Sequence, residues 1–211
     1  NDGITDFLIE RYRCELPDFF GLRAQELLLY YGKKNTLPNS NDGQRVGPEE
    51  LSSQTHLIGI ADFDQDGFMD LCCRYKILGD TNFGNTNGQY GIGYVVVYWG
   101  NAQGTYSTAD TSRLECGYPI WINPYGGLAE DVNSDGIADV AIYTKGGFAK
   151  GQIQPLASVL TFYGQPNSRW GRNGKGRRAD WSWYAPIESG QEIRRFDHDC
   201  DGYKDWVFVS N

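Results

Sequence analysis

The nine residues Asp62–Asp70 read DFDQDGFMD and place four carboxylates around one glycine, immediately before the apolar run LCCRY. The pattern returns as DVNSDGIAD at Asp131–Asp139 and as DHDCDGYKD at Asp197–Asp205. A shortened copy, NDGITD, occupies Asn1–Asp6. The glycines that the four copies share are Gly3, Gly67, Gly136 and Gly202, which lie 64, 69 and 66 residues apart. A fixed spacing of this kind predicts a repeat architecture.

A second element repeats with the same period. The runs ELLLYYG, YVVVYWG and SVLTFYG end at Gly32, Gly100 and Gly164, which lie 68 and 64 residues apart. Two independent markers with one spacing predict a single domain, 1–211, made of structural repeats. The predicted repeats are 1–61, 62–130 and 131–196, and 197–211 starts a further one.

The runs between these markers predict short β-strands. Each acidic loop is followed by a segment rich in β-branched and aromatic residues, DFLIERY, DLCCRY, DVAIY or DWVFVS. The strands predicted in the middle of the chain are His56–Ala61, Leu71–Tyr75, Tyr94–Trp99, a fourth near Thr105–Ser107 and one near Tyr118–Asn123. The predicted fold class is therefore all-β, with β-propeller-type blades of four-stranded antiparallel sheets in about three repeats of ~66 residues.

Three repeats are too few to close a propeller, which typically has four to eight blades. The copy at Asn1–Asp6 lacks its first positions, whereas the copy at Asp197–Asp205 is complete and is followed by one strand. Three interpretations remain open. The chain is a fragment of a longer propeller, which we favour, or it closes a ring with copies of itself. Alternatively, subunits complete one another's blades head to tail and form a filament.

The acidic loop has the ligand spacing of a calcium site. Oxygen-bearing side chains stand at positions 1, 3, 5 and 9, a glycine at position 6 permits a sharp turn, and the carbonyl of position 7 can contribute. Ca²⁺ takes six to eight oxygen ligands at about 2.3–2.6 Å. An EF-hand would need a glutamate at position 12 and flanking helices, but position 12 is Cys73, Ile142 or Phe208 within an apolar run. A solvated aspartate-rich turn is the alternative, which three copies in register disfavour.

We therefore predict three Ca²⁺ sites, and a fourth at the N-terminus if upstream or neighbouring residues complete it. The middle site carries one carboxylate fewer, because Asn133 stands at position 3, and is expected to bind more weakly. The predicted metal ligands are Asp62, Asp64, Asp66, Phe68 and Asp70; Asp131, Asn133, Asp135, Ile137 and Asp139; Asp197, Asp199, Asp201, Tyr203 and Asp205; and Asp2 and Asp6 of the shortened copy.

The motif D-x-[DN]-x-D-G-x-x-D followed by an apolar strand resembles the FG-GAP/VCBS repeats of integrin α-subunit-like β-propellers. The resemblance extends over essentially the whole chain. It implies Ca²⁺ in the loops, an extracellular or cell-surface location, and a role in adhesion or glycan recognition. Because some members of this family are accessory regions of larger enzymes, it also leaves open an accessory region of a polysaccharide-degrading enzyme.

The composition limits the classes of binding partner and of reaction that we expect for this chain. The net charge of −8 over 211 residues disfavours nucleic acid as a partner. No apolar run is long enough for a transmembrane helix. The chain has two histidines and no nucleophile-elbow, zinc-protease or P-loop motif, so we predict that it is not an enzyme. The acidic residues considered as remaining acid or base groups are Glu15, Asp18, Glu49, Glu50 and Glu130.

One basic segment stands out in this acidic chain. RWGRNGKGRR, Arg169–Arg178, has five basic residues and no acidic one. It could receive an acidic glycan or a neighbouring copy of the chain, or it could be a solvated loop. The ligand-binding residues predicted here are Arg169, Trp170, Arg172, Arg177 and Arg178. Nearby Trp181 and Trp183 fit either a sugar-stacking surface or the buried face of a strand.

Overall fold

The computed structural model describes residues 6–13, 24–33, 36, 39, 41–46, 55–76, 93–115, 123–145, 158–170, 177–184 and 192–209. Every named element in these ranges is a β-strand. The strands are β1 (Phe7–Arg13), β2 (Ala24–Tyr30), β3 (Gln44–Val46), β4 (Thr55–Ala61), β5 (Asp70–Lys76), β6 (Gly93–Tyr98), β7 (Thr111–Glu115), β8 (Asn123–Glu130), β9 (Asp139–Lys145), β10 (Ser158–Phe162), β11 (Arg177–Arg178), β12 (Trp181–Tyr184), β13 (Glu192–Phe196) and β14 (Asp205–Val209). Within the described ranges, no helix has the length and hydropathy needed to cross a membrane.

The strands form four sheets. Their strand orders are β1-β2-β3, β11-β7-β6-β5-β4, β12-β10-β9-β8 and β13-β14. The pairing is antiparallel throughout, except that the short β11 joins β7 in parallel. The all-β class and the antiparallel sheets are thus confirmed. The arrangement of the sheets as blades of a propeller stays a prediction.

Most predicted strands appear with small shifts of their ends. The segments that follow the acidic loops form β1, β5, β9 and β14, and the runs that end at the repeated glycines form β2, β6 and β10. The fourth strand of the second repeat was predicted in the wrong place. The side chain of Asn101 bonds the backbone of Gln103 and Thr105 and holds a turn there, so the strand forms later, as β7. The segment predicted near 118–123 lies mostly outside the described residues.

The acidic loops connect equivalent pairs of neighbouring strands in three different sheets. Each loop joins an antiparallel pair, and its last aspartate is the first paired residue of the following strand. The closing pairs are Ala61 with Asp70, Glu130 with Asp139, and Phe196 with Asp205. The loops therefore occupy equivalent places in successive repeats.

The sheets pack face to face in chain order. Along β5, Leu71 and Cys73 join a core cluster with Leu27 of the first sheet, whereas Cys72 joins the cluster shared with Val140 of the third sheet. Alternate residues of a strand point to opposite faces, so the second sheet is buried on both sides. Along β9 the same alternation sends Ala141 and Tyr143 toward Trp206 of the fourth sheet. This double burial explains why these strands are apolar without alternation in the sequence.

Candidate metal centres

Three loops carry the acidic repeat. Loop A is Asp62–Asp70, loop B is Asp131–Asp139 and loop C is Asp197–Asp205, and positions 1 to 9 are counted from the first aspartate. In every loop the carboxylate at position 1 accepts the N–H groups of positions 5 and 6. The N···O distances are 3.1 and 2.9 Å in loop A, 3.2 and 2.8 Å in loop B, and 3.0 and 2.9 Å in loop C. The shared spacing of aspartates and glycine thus gives the three loops the same backbone conformation.

Two backbone positions in each loop require a left-handed conformation. The glycine at position 6 has φ of 91°, 85° and 93° in loops A, B and C, where glycine bears no steric penalty. Position 4 is Gln65, Ser134 or Cys200, with φ of 54°, 64° and 61°. A non-glycine residue in this region is strained by about 1–2 kcal/mol. The N–H of position 5, which donates to the side chains of both position 1 and position 3, holds it there.

The aspartate at position 9 ties each loop to its sheet. One of its oxygens accepts the backbone N–H of position 2, at 2.9 Å in all three loops. The other oxygen of Asp70 accepts the N–H of Gly100 at 2.8 Å, and that of Asp139 accepts the N–H of Gly164 at 2.8 Å. In loops A and B this aspartate therefore joins both ends of the loop to the end of the third strand of the repeat, β6 or β10.

The close approach of the two backbones at this bond explains why a glycine follows β6 and β10. A Cβ at Gly100 would overlap the carbonyl oxygen of Met69, and one at Gly164 would overlap that of Ala138, which are both at position 8. Only glycine permits this approach of the two backbones. The sequence marked these glycines by their period, but it did not indicate that they bond the acidic loops.

The shortened copy keeps part of this arrangement. Asp6 stands at position 9 and accepts the N–H of Gly32 at 2.8 Å, like its counterparts in loops A and B. Asp2 lies outside the described residues. The fourth predicted Ca²⁺ site therefore stays a prediction, although Asp6 makes the contact that tethers the other loops.

Carboxylate oxygens converge in two of the three loops. In loops A and C, positions 1, 3 and 9 each bring one oxygen within 4.8 Å of the others. The two groups, which could hold a metal ion, are Asp62, Asp64 and Asp70, and Asp197, Asp199 and Asp205. In loop B the amide of Asn133 replaces a carboxylate, and its Nδ2 donates to Asp135 Oδ2 at 2.9 Å. Loop B therefore offers fewer anionic oxygens than the other two.

In loops A and B, the burial of carboxylates favours the binding of a cation. Asp64 and Asp70 are 3% and 0% exposed, and Asp139 is also buried. Desolvation raises the pKa of Asp70 to about 7, and it raises the pKa of Asp64 and Asp139 as well. Each carboxylate nevertheless accepts backbone N–H groups, which favour the ionised form. A bound cation would favour that form further, so the donor set fits a hard metal ion.

The predicted backbone ligands stand at position 7, at Phe68, Ile137 and Tyr203. Their N–H groups donate to the position 5 carboxylate at 2.9, 2.8 and 2.8 Å. Phe68 and Tyr203 are exposed, whereas Ile137 is buried. Within the described residues no donor reaches the carbonyl oxygens of these three positions. The three carbonyl oxygens remain predicted metal ligands.

Two of the predicted ligand-binding residues are engaged inside the protein. Trp170 is 1% exposed, and its ring packs against Phe63 and Trp99 with centroid distances of 5.3 and 5.8 Å. Arg169 forms ion pairs with Asp64, at 3.0 Å, and with Asp66, at 2.9 Å. This placement is contrary to the prediction that these side chains form a surface for an external ligand. Because apolar burial and charge pairing within the chain satisfy both, neither is presented to a glycan in this structure.

The remaining residues of the basic segment are less fully defined. Arg172 lies outside the described residues, and Arg177 and Arg178 form β11 beside β7.

The candidate acid or base residues include one that the structure describes. Glu130 accepts from Lys204 at 2.7 Å and from Arg195 at 3.5 Å. Its carboxylate is therefore engaged in a structural ion pair. The other four candidate acid or base residues lie outside the described ranges.

Comparison with known proteins gives a partial match. No family model matches the chain. The chain is similar, at 29% identity over 225 residues, to the phosphatidylinositol-glycan-specific phospholipase D of Mus musculus. The match covers 99% of this chain but 25% of that enzyme, so the chain spans about a quarter of its length. The similarity thus concerns one part of a much longer protein.

Proposed function

We propose that this chain is a non-enzymatic, extracellular, Ca²⁺-stabilised module of β-propeller type that presents loops for adhesion or glycan recognition. The observation that carries the proposal is the acidic loop, which adopts one hydrogen-bond pattern in loops A, B and C. In loops A and C it gathers three carboxylates. The resemblance to FG-GAP/VCBS repeats supports the same function from the sequence.

Ca²⁺ is the metal that the donor set favours. The loops offer carboxylate, amide and carbonyl oxygens and no clustered histidine, which excludes the ligand sets typical of zinc and copper. Mg²⁺ demands a compact octahedral shell and retains several waters, whereas Ca²⁺ accepts a larger and more flexible set of oxygens. The side-chain ligands would be positions 1, 3, 5 and 9, with the carbonyl of position 7.

The bound ion would act structurally. It would neutralise carboxylates that otherwise repel one another within a partly buried hairpin. Side chains of the loop supply the other contacts. The aspartate at position 9 bonds the end of the third strand in loops A and B, and the aspartate at position 1 closes the turn. The rigid sheets then hold the loops that connect them in fixed relative positions for a glycan or protein ligand.

Thermal unfolding with 1 mM Ca²⁺ or with excess EGTA tests the proposal. A ligand that binds the folded state alone must stabilise it by RT ln(1 + [L]/Kd), which is about 2.7 kcal/mol at one hundred times Kd. We expect the melting temperature to fall in EGTA, and Asp199→Asn in loop C to reduce the difference. The same melting temperature in both solutions would refute the proposal, and equal stabilisation by Mg²⁺ would refute the choice of Ca²⁺.

A second candidate is a subunit of an extracellular oligomer or filament. The observation that favours it lies at the fourth sheet, which contains β13 and β14 alone in the described part of the chain. Asp6, Asp70 and Asp139 each accept a glycine N–H from a third strand. Among the described residues no such donor reaches Asp205 Oδ1. A further strand of the same type would supply it, either from another repeat in a longer chain or from a neighbouring copy.

Size-exclusion chromatography with light scattering separates these possibilities, with electron microscopy of the same sample. Filaments or discrete oligomers in Ca²⁺ that dissociate in EGTA would support assembly. A monomer at all concentrations would exclude assembly by this chain alone. Retention of that monomer on immobilised glycans would favour the recognition module.

A third candidate is an accessory region of a larger enzyme, such as one that degrades polysaccharide. The partial match to a longer enzyme, of which this chain spans about a quarter, is the observation that supports this candidate. An assay of the isolated chain against glycan and phospholipid substrates tests this candidate. Turnover by the isolated chain would contradict a non-enzymatic function.

A further inference from the structure

One side chain distinguishes loop A from the other loops. The guanidinium of Arg169 donates from Nε to Asp64 Oδ2 at 3.0 Å and from Nη2 to Asp66 Oδ2 at 2.9 Å. Its Nη1 donates to Asp110, and Nη2 also reaches the carbonyl oxygen of Gly100 at 3.3 Å. Arg169 comes from the third repeat, more than 100 residues away from loop A in the sequence. One fork of donors therefore joins positions 3 and 5 of loop A to a neighbouring sheet.

The protein fixes this arginine in place. The next residue, Trp170, is fully buried, and its Nε1 donates to the carbonyl oxygen of Tyr163 at 3.0 Å. The backbone of the same segment bonds loop A directly, because Gln165 N donates to Phe63 O at 3.1 Å. The guanidinium also lies 5.5 Å from the centre of the Trp99 ring, within range of a cation–π interaction. Arg169 is thus a built part of loop A.

The contacts of Arg169 complete the hydrogen bonding of loop A. Every carboxylate oxygen of Asp62, Asp64, Asp66 and Asp70 accepts at least one bond from an N–H group of the protein. The oxygens that Arg169 takes are the ones that accept no backbone N–H. In loop C the corresponding atoms are Oδ2 of Asp199 and Asp201, and no donor reaches them within the described residues.

Loop B also has an arginine nearby, but it binds differently. Arg195 donates to the backbone carbonyl oxygens of Asp131 and Val132 at 3.2 and 3.4 Å and to Glu130 at 3.5 Å. It contacts no carboxylate at position 3 or 5 of the loop. The two arginines therefore form a natural pair for comparison, because both brace a loop but only Arg169 occupies its anionic oxygens.

We propose that the guanidinium of Arg169 is the resident cation of loop A, and that a metal ion enters this loop only in competition with it. The inference rests on the proposed metal binding of the acidic loops and deepens it, because it ranks the sites. Loop C, which has three converging carboxylates and no basic side chain on positions 3 and 5 in the described structure, is the primary metal site. Loop A keeps its shape when metal is scarce.

Calcium titration of the full chain by isothermal calorimetry tests the ranking through equivalent substitutions at position 3. At calcium concentrations that saturate loop C, we expect Asp199→Asn to lose one bound ion and Asp64→Asn to lose none. Circular dichroism of each variant checks that the sheets are retained. Equal losses from the two substitutions would overturn the proposal while leaving metal binding itself intact.

Removal of the arginine gives the complementary test. We expect Arg169→Gln to bind Ca²⁺ about ten-fold more tightly at loop A, which corresponds to about 1.4 kcal/mol, and Asp64→Asn in the same chain to abolish this gain. The matched control Arg195→Gln should leave calcium binding at loop A unchanged. Unchanged or weaker binding by Arg169→Gln would refute the competition. No binding by wild type or any variant would refute the metal proposal itself, and the ranking with it.

Discussion

Substitution of Gly100 by alanine tests how the acidic loops are attached to the sheets. The added Cβ would overlap the carbonyl oxygen of Met69 and approach Phe68 Cβ to 3.1 Å, so loop A or the end of β6 must move. Such a movement also disturbs the 2.8 Å bond from the Gly100 N–H to the buried Asp70. Above pH 7, where Asp70 is ionised, the substitution therefore combines steric overlap with damage to a charge-assisted hydrogen bond.

The magnitude follows from these two effects. Overpacking typically costs about 1–3 kcal/mol, and a hydrogen bond to a charged group contributes about 1.5–3 kcal/mol. Alanine restricts the unfolded chain and returns about 0.4–1 kcal/mol. The net destabilisation is therefore about 2–5 kcal/mol, and for a chain of this size each kcal/mol lowers the melting temperature by about 2–4 °C.

Gly126 provides the matched control. It lies in β8, no atom of the described residues stands within 4 Å of the position its Cβ would take, and its φ lies outside the left-handed region. Chemical denaturation should show Gly100→Ala and Gly164→Ala strongly destabilised, with Gly126→Ala close to wild type. If Gly100→Ala unfolds within about 0.5 kcal/mol of Gly126→Ala, the proposed attachment of the loop to the third strand is wrong.

Three further predictions concern the core, the pH dependence and loop C. Trp170→Ala should lose about 3–5 kcal/mol in chemical denaturation, because the ring is buried between Phe63 and Trp99; a loss below 1 kcal/mol would place the ring outside the core. The raised pKa of Asp70, about 7, makes its contribution to stability greatest below pH 4. In EGTA that contribution should be lost as the pH rises toward and through 7, by an amount on the order of 4 kcal/mol. Urea titrations at several pH values measure the loss, and Asp70→Asn should abolish the pH dependence. At loop C, Asp205→Asn should reduce Ca²⁺ affinity at least about ten-fold by calorimetry, and unchanged affinity would exclude it as a ligand.

The repeats and their strands could be predicted because each repeat carries its own local signals. The spacing of aspartates and glycine in loops A, B and C specifies hydrogen bonds within nine residues. The local sequence is therefore sufficient to determine the conformation of the loop. The strands after the loops were also recognisable from their β-branched and aromatic residues. The fourth strand of the second repeat was misplaced because the decisive signal is one side chain, Asn101, which holds a turn.

The roles of Arg169 and Trp170 could not be predicted, because they depend on contacts between distant repeats. In the sequence both residues open a basic segment that suggested a surface loop. In the structure Trp170 fills the core between two sheets, and Arg169 then reaches Asp64 and Asp66. The repeated glycines Gly100 and Gly164 were visible from their period, but their bonds to position 9 required knowledge of how the strands pair.

The most direct test of the central claim is a crystal structure of the chain grown in Ca²⁺, with anomalous scattering recorded to locate the ion. We expect an anomalous peak in loop C among Asp197, Asp199 and Asp205, with oxygen ligands at about 2.3–2.6 Å. We also expect the carbonyl oxygen of Tyr203 to belong to the coordination shell. An ordered loop C that holds only water in saturating Ca²⁺ would contradict the claim that these repeated loops are metal sites.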